Sequence, residues 1–76
     1  SDTIGWIYIK KNLSDNAIQI YNELVKKQPK RSEFHYHLGM ALYQKGDKPK
    51  AKASLQAALA NNPPKDVEAK VKDLLS

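Results

Sequence analysis

Apolar residues recur along most of this chain at intervals of three and four positions, which is the spacing of one helix face. One such set comprises Phe34, Leu38, Ala41 and Leu42. No segment shows the strict alternation of apolar and polar residues that marks a half-buried strand. Segment 7–9 has the composition of a strand, but its place in the repeat described below favours a helix. The pattern therefore predicts an all-α chain.

Residues that favour helix ends separate these helical segments. Gly46 can adopt the left-handed conformation that often follows a helix, and Asn12, the next-best residue for it, stands at the corresponding earlier place. Asp47 is placed to cap the helix that comes next. Ser14 or Asp15 is placed to cap the corresponding helix of the first half. The chain is therefore predicted to form two helical hairpins and a final helix.

The two hairpins form an internal repeat with a period of 34 residues. When the sequence is shifted by 34 positions, small residues, prolines and apolar residues coincide, whereas the mismatches are mostly polar. The coinciding pairs include Gly5 with Gly39, Ala17 with Ala51, Pro29 with Pro63, Ile4 with Leu38, Tyr8 with Leu42, Tyr21 with Leu55, and Val25 with Leu59. This pattern indicates a structural repeat in which helix packing determines some positions and solvent the others.

The repeat resembles the tetratricopeptide repeat, whose signature is Trp-x-x-Leu-Gly-x-x-Tyr on a first helix, Ala-x-x-x-Phe on a second, and a final Pro. The second unit reads His35-x-x-Leu38-Gly39-x-x-Leu42, then Ala51-x-x-x-Leu55, Ala58 and Pro63. The first unit reads Gly5-x-x-Tyr8, then Ala17-x-x-x-Tyr21, Leu24 and Pro29. The sequence departs from the signature at its first aromatic, where Ser1 and His35 stand. Short phrases around Gly5 and Gly39 look like those of bacterial repeat proteins.

The resemblance implies a right-handed α-solenoid in a single domain over residues 1–76. Its parts are expected to be a first repeat at 1–30, a second at 31–64 and a capping helix at 65–76. The apolar stripe of the capping helix comprises Val67, Val71, Leu74 and Leu75, with polar residues behind it. Since terminal units of solenoids need such a polar outer face, we expect the array to end with this helix.

The first helix, at 3–11, is apolar nearly all round, so that it needs neighbours on more than one side. One following repeat cannot cover all of it. We therefore interpret the chain as the C-terminal part of a longer array.

Composition and charge argue against several classes of site and partner. The chain is 41% hydrophobic and 28% charged, which is typical of a folded globular protein. It has no cysteine, so that disulfides and thiolate metal sites are excluded, and its apolar runs are too short to span a membrane. The net charge is +5, yet Arg31 is the only arginine. Nucleic-acid recognition favours the planar guanidinium of arginine, and we do not expect a nucleic-acid partner.

The two histidines do not form a predicted metal site. His35 and His37 are two residues apart, which places them on opposite faces of a helix, whereas zinc-binding pairs on helices are three or four residues apart. His35 is expected to be a satisfied packing residue. The sequence contains no order of nucleophile, base and acid, and no glycine loop that could hold a phosphate. We therefore expect no enzyme activity, no cofactor and no metal.

In the tetratricopeptide family, the first helices of successive repeats line a concave groove. This geometry implies a partner-binding set of Trp6, Ile9, Lys10, Tyr36, Met40, Tyr43 and Gln44, with Asp2 and Glu33 on the same face. Aromatic and methionine side chains suit a groove for a short apolar or amphipathic segment. The competing interpretation is that some of these residues pack against the capping helix or another repeat. The leading hypothesis is a protein–protein interaction module with a protein or peptide partner.

Two other hypotheses remain open. The apolar first helix can drive self-association, in which it stacks with a repeat of another chain to form a homo-oligomer. A group of lysines around one turn can bind a polyanion. The group comprises Lys45, Lys48, Lys50 and Lys52.

Overall fold

The computed structural model describes residues 2–76, so that Ser1, at the first signature position, lies outside the described residues. The helices are α1 (Asp2–Lys10), α2 (Ser14–Lys27), α3 (Ser32–Lys45), α4 (Lys48–Ala60) and α5 (Lys65–Leu75). The part of the chain that the structure describes contains no strand. Segment 7–9 lies within α1. The prediction of an all-α repeat fold is confirmed.

The turns after α1 and α3 have the same backbone geometry. Asn12 and Gly46 both adopt the left-handed conformation, with φ angles of 61° and 95°. In each turn, the amide of the following residue donates to the carbonyl five positions before it over 2.9 Å, as in a Schellman motif. The sequence prediction for both turns is confirmed, and the duplication extends to individual backbone hydrogen bonds.

The two predicted N-caps have different outcomes. The carboxylate of Asp47 accepts a hydrogen bond from the amide of Lys50 over 3.4 Å, as the sequence predicted. The prediction of a cap at Ser14 or Asp15 is wrong, because the N-cap residue of α2 is Leu13 and no side chain caps this helix. Ser14 and Asp15 instead direct their side chains to α3, where they contact Gln44 and Lys45. Contacts between helices therefore replace a local cap.

The helices pack around two adjoining hydrophobic clusters. The first core comprises Ile9, Ala17, Tyr21, Phe34, Leu38, Ala41, Leu42 and Ala51. The second core comprises Tyr36, Leu55, Ala58, Val67 and Val71. Helix α3 contributes to both cores, and it contacts each of the other helices. Within residues 2–76, neither α1 nor α2 contacts α4 or α5.

Close contact between paired helices explains the signature glycines. A Cβ atom on Gly5 would lie 2.7 Å from the ring of Tyr21, and one on Gly39 would lie 2.7 Å from Cγ and Cδ2 of Leu55. Tyr21 and Leu55 are both buried. Each hairpin therefore inserts a large side chain of its second helix over a glycine of its first helix. A bulkier residue in place of either glycine would force the helices apart.

The remaining signature positions have clear packing roles. Ala17, Ala51 and Ala58 are fully buried between helices, and Tyr8 is partly buried against the first core. Nε2 of His35 donates to the carbonyl oxygen of Pro29 over 2.7 Å. This bond links α3 to the turn that precedes it, so that His35 has the satisfied structural role that was expected.

Helix α5 packs through one face, as its amphipathic sequence predicts. Val67 and Val71 are buried in the second core, while Leu74 and Leu75 are partly buried beside it. The lysines of α5 are exposed. Among residues 2–76, no helix combines the length and apolar character needed to cross a lipid bilayer.

Candidate partner-binding groove

The residues predicted to line a groove lie on α1 and α3, and these two helices contact each other. Trp6, Ile9 and Lys10 are on α1, whereas Tyr36, Met40, Tyr43 and Gln44 are on α3. The side chain of Asp2 lies outside the described part of the chain. The structure brings the predicted residues onto neighbouring helices but gives them three different environments.

Two of the predicted residues are buried. Ile9 is 6% exposed in the first core, and Tyr36 is 8% exposed in the second core, where α5 packs over it. Burial raises the pKa of the Tyr36 phenol above its usual range, and the negative charge of Asp66 raises it further. Tyr36 thus packs against α5, the helix that the sequence predicts to cap the array, as in the competing interpretation. Side chains buried to this extent offer little surface to a partner.

Gln44 links three helices through hydrogen bonds. Its Nε2 donates to the carbonyl oxygen of Ile9 over 2.9 Å, and its Oε1 accepts from the hydroxyl of Ser14 over 2.6 Å. The carbonyl of Ile9 belongs to the last turn of α1, and it also accepts from the amide of Asn12 over 3.1 Å, so that Gln44 is its second donor. The neighbouring Lys45 forms an ion pair with Asp15, and the hydrogen bond within this pair raises the pKa of the lysine ammonium. Gln44 therefore holds the α1–α2 turn against α3.

The accessible part of the predicted set forms what we call the groove face, which comprises Trp6, Lys10, Met40 and Tyr43. Tyr43 is 44% exposed, Lys10 is exposed, and Trp6 and Met40 are partly buried. Nζ of Lys10 lies 5.5 Å from the centroid of the Trp6 ring, within cation–π distance. The groove face thus combines two aromatic rings, a flexible thioether and one positive charge.

An aromatic cluster behind the groove face was not predicted from the sequence. The ring of His37 lies 5.1 Å from the ring of Trp6, 5.3 Å from that of Tyr21 and 5.1 Å from that of Tyr36, measured between centroids. These rings come from α1, α2 and α3. The sequence shows only that Tyr36 and His37 are adjacent, and it gives no signal for the other two rings. The ring of His37 packs against Trp6 and helps to fix its position.

Metal binding finds no support in the residues that the structure describes. No group of three or more histidine, cysteine, aspartate or glutamate residues there could hold a metal ion. His35 is bonded to the backbone of Pro29, and the His37 ring packs among aromatic rings. Both histidines therefore have structural surroundings.

A second accessible apolar surface lies at the other side of α1. Ile4 is 47% exposed and Ile7 is 45% exposed, and we call this surface the N-terminal apolar face. Their repeat equivalents on α3, Leu38 and Ala41, are only 6% and 0% exposed because they lie in the first core. In the second repeat this position is thus covered by the preceding hairpin.

The predicted lysine group is partly neutralised by acidic side chains. Lys45 pairs with Asp15, and Lys50 lies 4.0 Å from the carboxylate of Asp47. Lys48 and Lys52 form no ion pair with any of the side chains that the structure describes. Only half of the group therefore has charge available for another molecule.

Comparison with known protein families gave one match. A family model described as tetratricopeptide repeat matches residues 3–66. Comparisons with curated proteins and with solved structures gave no significant match. The match spans both hairpins and agrees with the duplicated packing described above.

Proposed function

Because this chain belongs to the tetratricopeptide repeat family, whose members are non-catalytic scaffolds that generally mediate protein–protein interactions, we propose that it binds a partner segment across the groove face. The partner contributes a peptide or helix that lies over α1 and α3. The observation that carries this proposal is that Tyr43 is exposed and Trp6 and Met40 are partly accessible on these two adjoining helices.

The chemistry of the groove face suits an apolar or amphipathic segment. Aromatic side chains supply large contact areas with little loss of conformational entropy, and methionine adapts its shape to different partners. Trp6 is held by the His37 ring on one side and by Lys10 on another, so that it is ordered before a partner arrives. Such preorganisation lowers the entropic cost of binding.

Peptide selection followed by titration tests this proposal. Peptides selected from a random display library against the intact chain would be titrated while the fluorescence of Trp6, the only tryptophan, is recorded. The combined change Met40→Ala and Tyr43→Ala should weaken binding roughly tenfold or more, because truncation of a central contact costs about 1–2 kcal/mol. Far-ultraviolet circular dichroism should remain unchanged.

The matched control is Leu13→Ala, which removes an equally exposed apolar side chain away from the groove face. It should leave the affinity of the selected peptides unchanged. If the Met40 and Tyr43 variant binds them as tightly as the parent chain, the groove assignment is wrong.

A second candidate function is assembly through the N-terminal apolar face. It is favoured by the equivalence of Ile4 and Ile7 to Leu38 and Ala41, which the preceding hairpin covers. Sedimentation equilibrium should then show association at high protein concentration, and Ile4→Ser with Ile7→Ser should abolish it while Leu13→Ser should not. A clean monomer at every concentration would contradict this candidate.

Binding of a polyanion through the lysine group is the weakest of the proposals, since two of the four lysines have acidic partners within the chain. It requires an affinity for a polyanion such as heparin that falls steeply with salt. An affinity that hardly changes between low and high salt would eliminate it.

A further inference from the structure

A cavity of about 200 Å³ lies where the C-terminal turns of α3 and α5 meet the first turns of α4. We call it the α5 cavity. Its lining includes Leu55, Leu74, Leu75, Tyr43, Lys48 and Lys52. Ser76 also lines it. The lining is therefore mixed, with three leucine side chains, a phenol ring, two ammonium groups and the polar Ser76.

The volume of the α5 cavity limits the size of the group that it can hold. Cavities that bind cofactors or drug-sized ligands measure about 300–1,000 Å³. A cavity of about 200 Å³ has room for one large apolar side chain. Leu74 and Leu75 are partly buried and Tyr43 is 44% exposed, so that apolar surface is available to such a side chain.

The positive charge beside the α5 cavity indicates which residues flank that side chain in the partner. Lys48 and Lys52 are four residues apart on α4, so that they lie on the same helix face one turn apart. Both are exposed, and the described residues offer neither of them an ion pair. Two unpaired ammonium groups one helical turn apart complement carboxylates that flank an apolar residue.

We propose that the α5 cavity anchors an acidic segment of a protein partner. A leucine-sized or aromatic side chain of that segment enters the cavity, and the carboxylates beside it pair with Lys48 and Lys52. Tyr43 belongs both to the cavity wall and to the groove face, so that one bound segment runs from the groove into the cavity. This inference rests on the proposed interaction function, because it specifies the chemistry of the partner.

A capped peptide in which one leucine is flanked by two glutamates on each side is the probe. It would be titrated into the isotope-labelled full chain while amide chemical shifts are recorded by two-dimensional NMR. The perturbed amides should centre on Tyr43, Leu74 and Leu75. A peptide with serine in place of leucine and a peptide with lysines in place of glutamates should both lose binding, because each lacks one half of the required chemistry.

Charge removal gives the decisive comparison. Lys48→Gln with Lys52→Gln should weaken peptide binding roughly 4- to 25-fold, because each exposed ion pair is worth about two- to fivefold in affinity. Lys26→Gln with Lys27→Gln removes the same charge from the exposed end of α2. This control should change the affinity less than about twofold, since screening weakens distant charges.

Each contrary outcome overturns the cavity assignment. It is wrong if no amide shifts at peptide concentrations up to about 5 mM, if both lysine variants bind alike, or if vesicles rich in phosphatidylserine bind while the peptide does not. Selected peptides that depend on Met40 but not on Lys48 and Lys52 would refute the α5 cavity and leave the groove proposal standing. If the binding of the selected peptides depends on Lys48 and Lys52 but not on Met40, only the groove proposal is refuted.

Discussion

Gly39→Ala is expected to lower the free energy of unfolding by about 1 kcal/mol, although alanine is the better helix former. The new Cβ would lie 2.7 Å from Cγ and Cδ2 of Leu55 and 3.3 Å from the carbonyl oxygen of Ala51. Leu55 is buried and the Ala51 contact is backbone, so that neither can move freely. Overpacking of this kind costs about 1–3 kcal/mol, and the gain in helix propensity offsets about 1 kcal/mol of it.

Urea denaturation followed by circular dichroism measures this change, which corresponds to a fall of about 4–8 °C in Tm for a domain of this size. The test is strongest in a Leu55→Ala background, which itself costs about 2–5 kcal/mol. There the contact with the Leu55 side chain is gone and only the 3.3 Å contact with the Ala51 carbonyl oxygen remains. Gly39→Ala should therefore cost less than in the parent chain, or stabilise the chain by up to about 1 kcal/mol.

Gly46→Ala is the matched control for the double-mutant comparison. Gly46 has a φ of 95° and no neighbour within 4 Å of an added Cβ, so that its cost comes from the backbone alone. That cost, about 1–2 kcal/mol, should be the same with or without Leu55. The explanation from close helix contact is refuted if Gly39→Ala stabilises the parent chain, or if its cost is equal in both backgrounds.

Two further changes follow from the contacts of α3. Gln44→Ala should cost about 0.5–1.5 kcal/mol and speed hydrogen exchange at the end of α1. The reason is that the carbonyl of Ile9 keeps only the amide of Asn12 as a donor and loses its bond to α3. Gln56→Ala, at an exposed position of α4, should do neither. Stability should fall as the pH rises above 10.0, because the pKa of Tyr36 is raised in the folded state and its neutral form is the one that folding favours. Denaturation at pH values on both sides of 10.0 should show a smaller fall for Tyr36→Phe, and an unchanged fall would contradict the assignment to this phenol.

Much of the fold could be predicted from the sequence because the duplicated positions have local physical causes. Gly46 and Asn12 favour the left-handed turn wherever they stand, and the apolar spacing favours helices without reference to neighbours. Ser14 and Asp15 show where this reasoning fails. Both favour N-caps by local preference, yet their side chains contact Gln44 and Lys45 of another helix.

The candidate site was less predictable, because accessibility depends on which helices pack together. Tyr36 and Met40 both face the groove in the family geometry, but α5 covers Tyr36 and leaves Met40 partly open. Gln44 has the polarity of a surface contact, and only the approach of α1 reveals its bond to the carbonyl of Ile9. The rings around His37 come from three helices, which no spacing within one helix could indicate.

The position of α3 between the two cores has a dynamic consequence. The described parts of α1 and α2 do not contact α4 or α5. A change in the packing of one terminal part can therefore reach the other only through α3. A partner that rigidifies α3 would therefore slow the fraying of both terminal helices at once, whereas fraying of α5 alone would leave the N-terminal hairpin intact. The amides of α3 should accordingly exchange more slowly than all others and be the last to lose protection on heating.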